Sequence, residues 1–557
     1  MTTQAENINA TNANNAVNNA GGAVMGPGLS LQISGKLSEL LGANYFCRGV
    51  RRSGKYVCGN RINDENVISE AVELLIEAVN RLLKWQVWDP WWIDKHREDW
   101  LIARKNIKEK LRGKYRDDVV NAILKLIDKY VRYIDKFRDY WLRNGIGNEI
   151  KKIIEDLLNG KAEVIIQGNN TMGIGIHGRY VILNVSRTSL GGSITVQLVL
   201  NGLEGMTIEV PNIFIKTMSE KEYRKFVKRV LRALKGGFEE TDGFIEKGHA
   251  AMIATQIWQV ITWALLYPGE NYVHVDAINV NENDVTIEWH LKSNGHKSIK
   301  GKLLNNVDKL SKEELPALMF TAILGDGYAD VVKLVINGRV YDKAVIKITM
   351  SGKKLDRWEP LLERLKGMGF GWRPYPVGGG AVDVRFYGGN AIDLARAMIN
   401  TLPPILKDIL DALAFEKWLK LRRIAEMEVK WRRGEVRVNV AGYGFTVVVH
   451  KGTVELEHRA RDDDADEVIN ALKAVYGDEF HARVNSNGKH LAVKIPMHVF
   501  KRYSDIKGQV IEVLRRKLEK TKDEKKKRII TKHLIRLTTP TERAVLVQIL
   551  PTFQETK

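Results

Sequence analysis

The sequence predicts an α+β protein in which a mixed helical and β-rich N-terminal region precedes two tandem αββαββα lobes. Three observations carry this. Apolar residues between about 60 and 160 recur every third or fourth place, the period of a helix with one buried face. From Val164 the period drops to two, as on a half-buried strand. From residue 315 a succession of helix, two strands, helix, two strands and helix can be read, and it reads through again from residue 404.

The 557 residues are enough for several cores. Lys and Arg number 87 against 67 acids, a formal net charge of +20, and a polyanion is the commonest partner of such an excess. No apolar run long and charge-free enough to span a membrane occurs, so no membrane partner is expected. The longest apolar stretch, Ala250 to Leu266, is read as one buried helix.

Residues 1–33 are rich in Asn, Ala and Gly and lack both a basic n-region and a continuous apolar core. They predict a flexible leader rather than a secretory signal. The two cysteines, Cys47 and Cys58, are too few for a disulfide framework. They are read as reduced thiols near a small core, with a local disulfide or a metal pair as the alternatives, and the expected location is cytoplasmic.

Residues 34–160 read as a helical, aromatic-rich domain. Two short helical patterns flank the basic turn R-G-V-R-R-S-G-K, and the run W-Q-V-W-D-P-W-W-I-D-K-H-R-E-D-W follows. Tryptophans at helical spacing predict core. Val120, Ile123, Leu124, Ile127, Tyr130, Val131, Ile134 and Phe137 form the packing stripe of the next helix. Residues 161–310 read as an α+β domain. It has short strands split by glycine turns, a helix over 219–235 with Ser219 and Glu222 in capping-box spacing, and a hairpin N-Y-V-H-V-D-A-I-N-V / D-V-T-I-E-W-H-L. The histidines form no recognisable ligand set: His274 stands two residues from Asp276, and His290 six from His296. Esterase, zinc-protease and phosphate-loop motifs are absent.

The chemistry concentrates in Ser311-K-E-E-L-P-A-L-M-F-T-A-I-L-G-D-G-Y. Ser311, Glu314 and Pro316 mark a helix start. Thr321, Ala322 and Gly325 are small enough for a second helix backbone to approach. Gly325 and Gly327 bracket Asp326 at the helix end, where a residue without Cβ tolerates tight contact. Two such carboxylates on paired helices would hold Mg²⁺ against a phosphate. Strands over 331–335 and 343–350, a helix over 355–365, strands over 372–376 and 382–387 and a helix over 391–402 complete lobe one, residues 315–403.

Met319 to Gly327 resembles the motif of the LAGLIDADG homing endonucleases, in particular the archaeal type. Asp326 and Gly327 match its final acid and glycine, while Thr321 and Leu324 replace an earlier glycine and aspartate. The resemblance implies a two-lobed saddle on duplex DNA and Mg²⁺-dependent hydrolysis of its backbone, with Asp326 the catalytic, metal-binding acid. Lobe two, residues 404–520, is degenerate: its opening helix lacks the Gly-Asp-Gly end, and Glu416 or Asp411 is the candidate second acid. The molecule is then a two-lobed monomer or a homodimer through the motif helix. An inactive DNA-binding derivative, and a basic interaction protein for RNA or another protein, stay open beside the nuclease.

Alternation places Ile346, Ile348 and Met350 inward and Lys347 and Thr349 outward. Lys333, Arg339, Lys343, Lys347, Lys353, Lys354, Arg373 and Arg385 make lobe one basic and are the expected DNA contacts. Arg422, Arg423, Arg432, Arg433, Arg515, Arg516 and Lys517 add two further basic runs, and residues 521–557 a basic C-terminal extension.

Overall fold

The computed structural model describes residues 35, 39, 45–52, 55–168, 172–187, 193–336, 338–429, 437–460, 464–486 and 491–538. The expected leader, Arg432 and Arg433, and the chain beyond residue 538 lie outside these. The architecture is mixed α+β, in two compact units spanning residues 1–426 and 427–557.

The first strands among the described residues form a hairpin, β1 (Phe46–Arg52) and β2 (Lys55–Arg61), where the sequence suggests a basic turn. Its register sets Gly49 opposite Cys58, and Cys47 and Cys58 are joined as a disulfide with their Cα atoms 5.6 Å apart. The expected reduced thiols are therefore corrected, and with them the ground for a cytoplasmic location. Spacing alone conceals the pair, because antiparallel pairing rather than sequence distance brings the two sulfurs together.

Four helices follow: α1 (Glu65–Trp85), α2 (Trp91–Leu111), α3 (Asp117–Arg143) and α4 (Ile146–Leu158). Asp64 caps α1 by accepting from the amides of Asn66 and Val67. Trp92, Trp100 and Trp141 are buried, as their helical spacing predicts, and the α3 stripe faces the same core. Strands β3 (Val164–Gln167), β4 (Gly173–His177), β5 (Val181–Arg187), β6 (Ile194–Leu200) and β7 (Met206–Val210) come next.

Helix α5 (Glu220–Phe226) carries the Ser219–Glu222 capping box. It runs through a π turn over Val227–Leu231 into α6 (Arg232–Glu240). Then come β8 (Gly243–Glu246), β9 (His249–Ala254), α7 (Ile257–Leu266), β10 (Gly269–Val280) and β11 (Val285–Lys297). The single helix expected over 250–266 is thus split. Ala250 to Ala254 pair with β8 and β11 as a strand, and the helix begins only at Ile257.

From Glu314 the succession recurs: α8 (Glu314–Gly325), β12 (Gly327–Ile336), β13 (Arg339–Ser351), α9 (Gly352–Gly367), β14 (Trp372–Gly378), β15 (Ala381–Tyr387) and α10 (Gly389–Thr401). The large sheet ends in the order β10-β11-β9-β8, and the separate four-stranded sheet runs β12-β13-β15-β14. Each array places its strands first, second, fourth, third. The repeat of 314–401 therefore lies upstream, from Arg232, and the sheet topology does not bear out residues 404–520 as a tandem second lobe.

The helix expected over 405–431 is instead two. Helices α11 (Pro404–Leu413) and α12 (Glu416–Glu426) are divided at Ala414, whose φ is +46°, and both belong to the first unit. The second unit holds β16 (Arg437–Val440), β17 (Tyr443–Val449), β18 (Val454–Ala460), α13 (Asp464–Tyr476), β19 (Arg483–Ser486), β20 (Leu491–Pro496) and α14 (Met497–Phe500). Helices α15 (Ser504–Lys520) and α16 (Glu524–Leu537) complete it. Its five strands run β16-β17-β18-β20-β19 over a core that includes Phe445, Leu456, Ile495 and Leu514. Ile530, Leu534 and Leu537 join that core, so the basic segment after residue 521 is part of the unit as far as it is described.

Candidate active site at the ends of two packed helices

Helices α6 and α8 meet where their sequences are small. A Cβ on Gly237 would stand 2.0 Å from Thr321 Oγ1 and 2.2 Å from the Leu318 carbonyl oxygen. Only a residue without a side chain admits that approach. Thr321 Oγ1 donates across the gap to the Leu234 carbonyl at 2.8 Å. Helix α8 is buried on every side, so the face expected to pair with a second copy of the chain is taken by α6. This corrects the expected homodimer through the motif helix. Its start matches expectation: Glu314 Oε2 accepts from the Ser311 amide at 2.8 Å, and Ser311 Oγ from the Glu314 amide at 3.3 Å.

At the C-terminal ends of this pair lie two carboxyls. Asp326 follows α8 and Asp242 follows α6, and their carboxyls lie close enough for the charge of Asp326 to act on Asp242. A Cβ on Gly325 would meet Asp242 Oδ2 at 2.5 Å, so Gly325 holds the acids close. Gly243 and Gly327 play matching parts: a Cβ on either would strike the Cα of the residue four earlier, Glu239 at 2.6 Å and Ile323 at 2.5 Å. Gln259 donates to Asp242 Oδ2 at 3.1 Å, and Lys354 to Asp326 Oδ2 at 3.3 Å. Each partner is the third residue of the middle helix in its own repeat. Lys417, from α12, donates to the carbonyls of Leu324, at 3.0 Å, and Gly325, and its ammonium interacts with both carboxylates.

Burial, and next the negative charge of Asp326, push the Asp242 carboxyl up from the ordinary 3.8 to about 7. Lys417 and Lys354 offset part of this. A raised carboxyl lets the folded chain hold a proton that the unfolded chain has lost. Its stabilising share is therefore complete below pH 3.8 and is lost as pH rises through about 7. The stability advantage of Asp242→Asn over the wild type is thus expected to grow from pH 4 to pH 8, as read by urea midpoints at each pH. A constant difference would contradict the raised value.

Asp326 and its glycines thus stand at a helix-pair terminus, as the sequence suggests, but the acid beside it is neither Glu416 nor Asp411. Asp411 accepts from Trp418 Nε1 at 2.8 Å and pairs with Arg422 at 2.7 Å and Lys110 at 3.5 Å. Glu416 is exposed and pairs with Lys420 at 2.7 Å. The acid beside Asp326 is Asp242, which a lobe read from residue 404 onward does not include. The signal is present: A-L-K-G-G-F-E-E-T-D-G-F and A-L-M-F-T-A-I-L-G-D-G-Y share Ala-Leu at one end and Asp-Gly-aromatic at the other, 84 residues apart.

Lys343, Lys347, Arg373 and Arg385 share one face of the β12–β15 sheet, while the register sets Lys333 opposite Asp342 on the other. Register aligns Tyr328, Lys347, Arg385 and Arg373 in one row across its four strands. Ile346, Ile348 and Met350 face the core, as alternation predicts. Asp383 is covered by this row: Lys347 pairs with it at 3.0 Å, Arg385 at 2.7 Å, and Thr349 donates at 2.6 Å. These contacts hold the Asp383 carboxyl below its usual range despite the opposing effect of burial. The Arg385 guanidinium lies 3.9 Å over Tyr375, and the Lys343 ammonium 4.0 Å over Tyr387. Lys333, Lys353 and Arg373 are exposed, and only the backbone of Arg339 is described. Elsewhere Arg422 is engaged by Asp411 and Glu426, while Arg423 is exposed. In the second unit Arg515 is exposed, Arg516 pairs with Glu512 at 3.1 Å, and Lys517 is turned inward onto the Val447 carbonyl. Lys517 is thereby withdrawn from the expected basic surface.

No family model matches the chain, and no curated protein matches it. Among solved structures, it is similar to I-SmaMI bound to uncleaved DNA target in the presence of calcium ions. Identity there is 13% over 40% of this chain and 96% of that one, with a TM-score of 0.12. It is also similar to the LAGLIDADG meganuclease I-AabMI bound to uncleaved DNA, at 14% identity over 42% of this chain and 97% of that one, with a TM-score of 0.12. Likeness at that TM-score carries no weight for fold or chemistry.

Proposed function

We propose that the chain binds duplex DNA across the exposed faces of its two repeated strand arrays and hydrolyses the DNA backbone with Asp242 and Asp326 as paired metal-binding acids. The carrying observation is the pair of adjacent carboxyls at the ends of α6 and α8, where a Cβ on Gly325, next to Asp326, would stand 2.5 Å from Asp242 Oδ2. On this reading 232–297 and 314–401 are the two lobes of a LAGLIDADG-like saddle. The donors suit a hard divalent cation such as Mg²⁺: two carboxylates, with the carbonyl oxygens of Leu324 and Gly325 converging on the same ammonium. Such an ion, when bound, supplies Lewis-acid stabilisation of the charge that develops on the attacked phosphate. Asp242 and Asp326 hold and orient it. Lys354 offers its ammonium to the phosphate oxygens. Arg373, Arg385 and Lys347 face base edges and phosphates, and Lys333 and Lys353 the flanking backbone.

A second reading, DNA binding without cleavage, is favoured by one contact. The Lys417 ammonium interacts with both acids and with the same two carbonyls, so a cation of the chain itself already stands where Mg²⁺ would be held. One experiment separates the readings. A random duplex library is presented to the wild type and to Lys417→Met with Mg²⁺, and binding is followed from ~50 to ~200 mM salt. Both chains are expected to bind, with affinity falling steeply as salt rises. Cutting by the wild type supports the nuclease. Cutting, or tighter Mg²⁺ binding, gained only by Lys417→Met supports the second reading. Absence of salt-dependent duplex binding at ~50 mM defeats both.

A further inference from the structure

The β10–β11 hairpin carries a second cluster of ligating side chains that the paired aspartates do not use. Its register sets His274 directly opposite His290. Strand alternation turns Val273, Val275, Trp289 and Leu291 into the core, and therefore His274, Asp276 and His290 onto the other face. The two imidazoles stack with centroids 4.4 Å apart, and His274 Nε2 lies 3.4 Å from Asp276 Oδ1. One donor atom from each of His274, Asp276 and His290 falls within 4.8 Å of the others. Glu246, from β8, is 2.7 Å from His290 Nε2 and also pairs with Lys292 at 3.2 Å.

We infer that His274, Asp276 and His290 form a binding site for a divalent transition-metal ion of the zinc class, with Glu246 orienting the His290 ring. Two imidazoles with a carboxylate are borderline-soft donors, which suit Zn²⁺ and discriminate against Mg²⁺ and Ca²⁺. A tetrahedral Zn²⁺ with bonds of about 2.0–2.1 Å places its ligand atoms roughly 3.4 Å apart. The His274–Asp276 spacing is already there, and rotation about side-chain bonds brings in the third donor. A carboxylate on a ligating imidazole is the usual support that fixes its tautomer, and Glu246 fills that part. The site owes nothing to the acids after α6 and α8, so it stands or falls independently of the proposed nuclease.

The test is equilibrium dialysis of the tag-free full chain against Zn²⁺ alone, with Co²⁺ as a spectroscopic substitute. One Zn²⁺ per chain is expected, together with a ligand-field spectrum showing nitrogen donors, and with a rise of a few degrees in Tm at Zn²⁺ well above Kd. His290→Gln and His274→Gln, each checked for unchanged circular dichroism, are expected to weaken Zn²⁺ at least ~100-fold, and Glu246→Gln by about 10–100-fold. Asp242→Asn with Asp326→Asn is expected to leave Zn²⁺ bound. A wild type that binds no Zn²⁺, or binds it unchanged after both histidine substitutions, overturns the inference.

Discussion

Asp326→Asn is expected to abolish Mg²⁺-dependent cleavage of duplex DNA, by roughly 10³-fold or more, while duplex binding persists. The loss is large because several kcal/mol of charge stabilisation at the attacked phosphate depend on the ion, and an amide holds a hard divalent cation far more weakly than a carboxylate. Binding persists because no basic side chain is removed and one negative charge is. Asp242→Asn is expected to behave likewise. The two variants differ in one respect. Because burial and the Asp326 charge raise Asp242 to about 7, its proton must leave before it can ligate. Mg²⁺ affinity of the wild type is therefore expected to climb as pH rises from 6 to 8, and Asp242→Asn to lose that climb. Plasmid nicking and titration of Mg²⁺ at each pH measure both. Cleavage by Asp242→Asn at the wild-type rate would remove this acid from the mechanism.

Gly237→Ala is expected to destabilise the first unit by about 3 kcal/mol, the upper range for overpacking a closed interface. The added methyl would meet Thr321 Oγ1 at 2.0 Å and the Leu318 carbonyl at 2.2 Å. The second of these is backbone and cannot rotate away, so α6 and α8 must separate. The gain of up to about 1 kcal/mol in helix propensity from replacing a mid-helix glycine is too small to compensate. Thr321→Ala is accordingly expected not to rescue the variant, since the clash with the carbonyl remains. Gly236→Ala is the control. Its Cβ would meet side-chain atoms alone, Leu303 Cδ1 at 2.3 Å and Cγ at 3.3 Å, and no backbone, so its cost is expected to be smaller. Urea midpoints of the three variants give the comparison, and equal costs for Gly236→Ala and Gly237→Ala would refute the account of the interface.

The local signals in the chain translate directly into structure. Ser219 with Glu222, and Ser311 with Glu314, make their capping contacts. The α3 stripe is core, and Ile346, Ile348 and Met350 alternate inward as their period demands. These succeed because caps and periodicity are decided within a few residues. Ala250 to Ala254 mark the limit of that logic. An apolar run without polar punctuation is compatible with helix or strand, and its neighbours β8 and β11 decided for strand.

What the sequence determined by itself was one half of the site: a helix ending in Gly-Asp-Gly, its carboxyl poised at a close helix contact, and a basic strand face beside it. Tertiary structure alone decided which acid stands opposite and joined Cys47 to Cys58, and it set the register that faces His274 to His290 within a hairpin the sequence already suggests. The physical reason is common to all three. Pairing across a helix interface or a strand ladder depends on which distant segments share a surface, and the energies that choose among segments come from burial and backbone hydrogen bonding summed over whole elements. A local pattern names the residues that can meet, and only the assembled core determines which of them do.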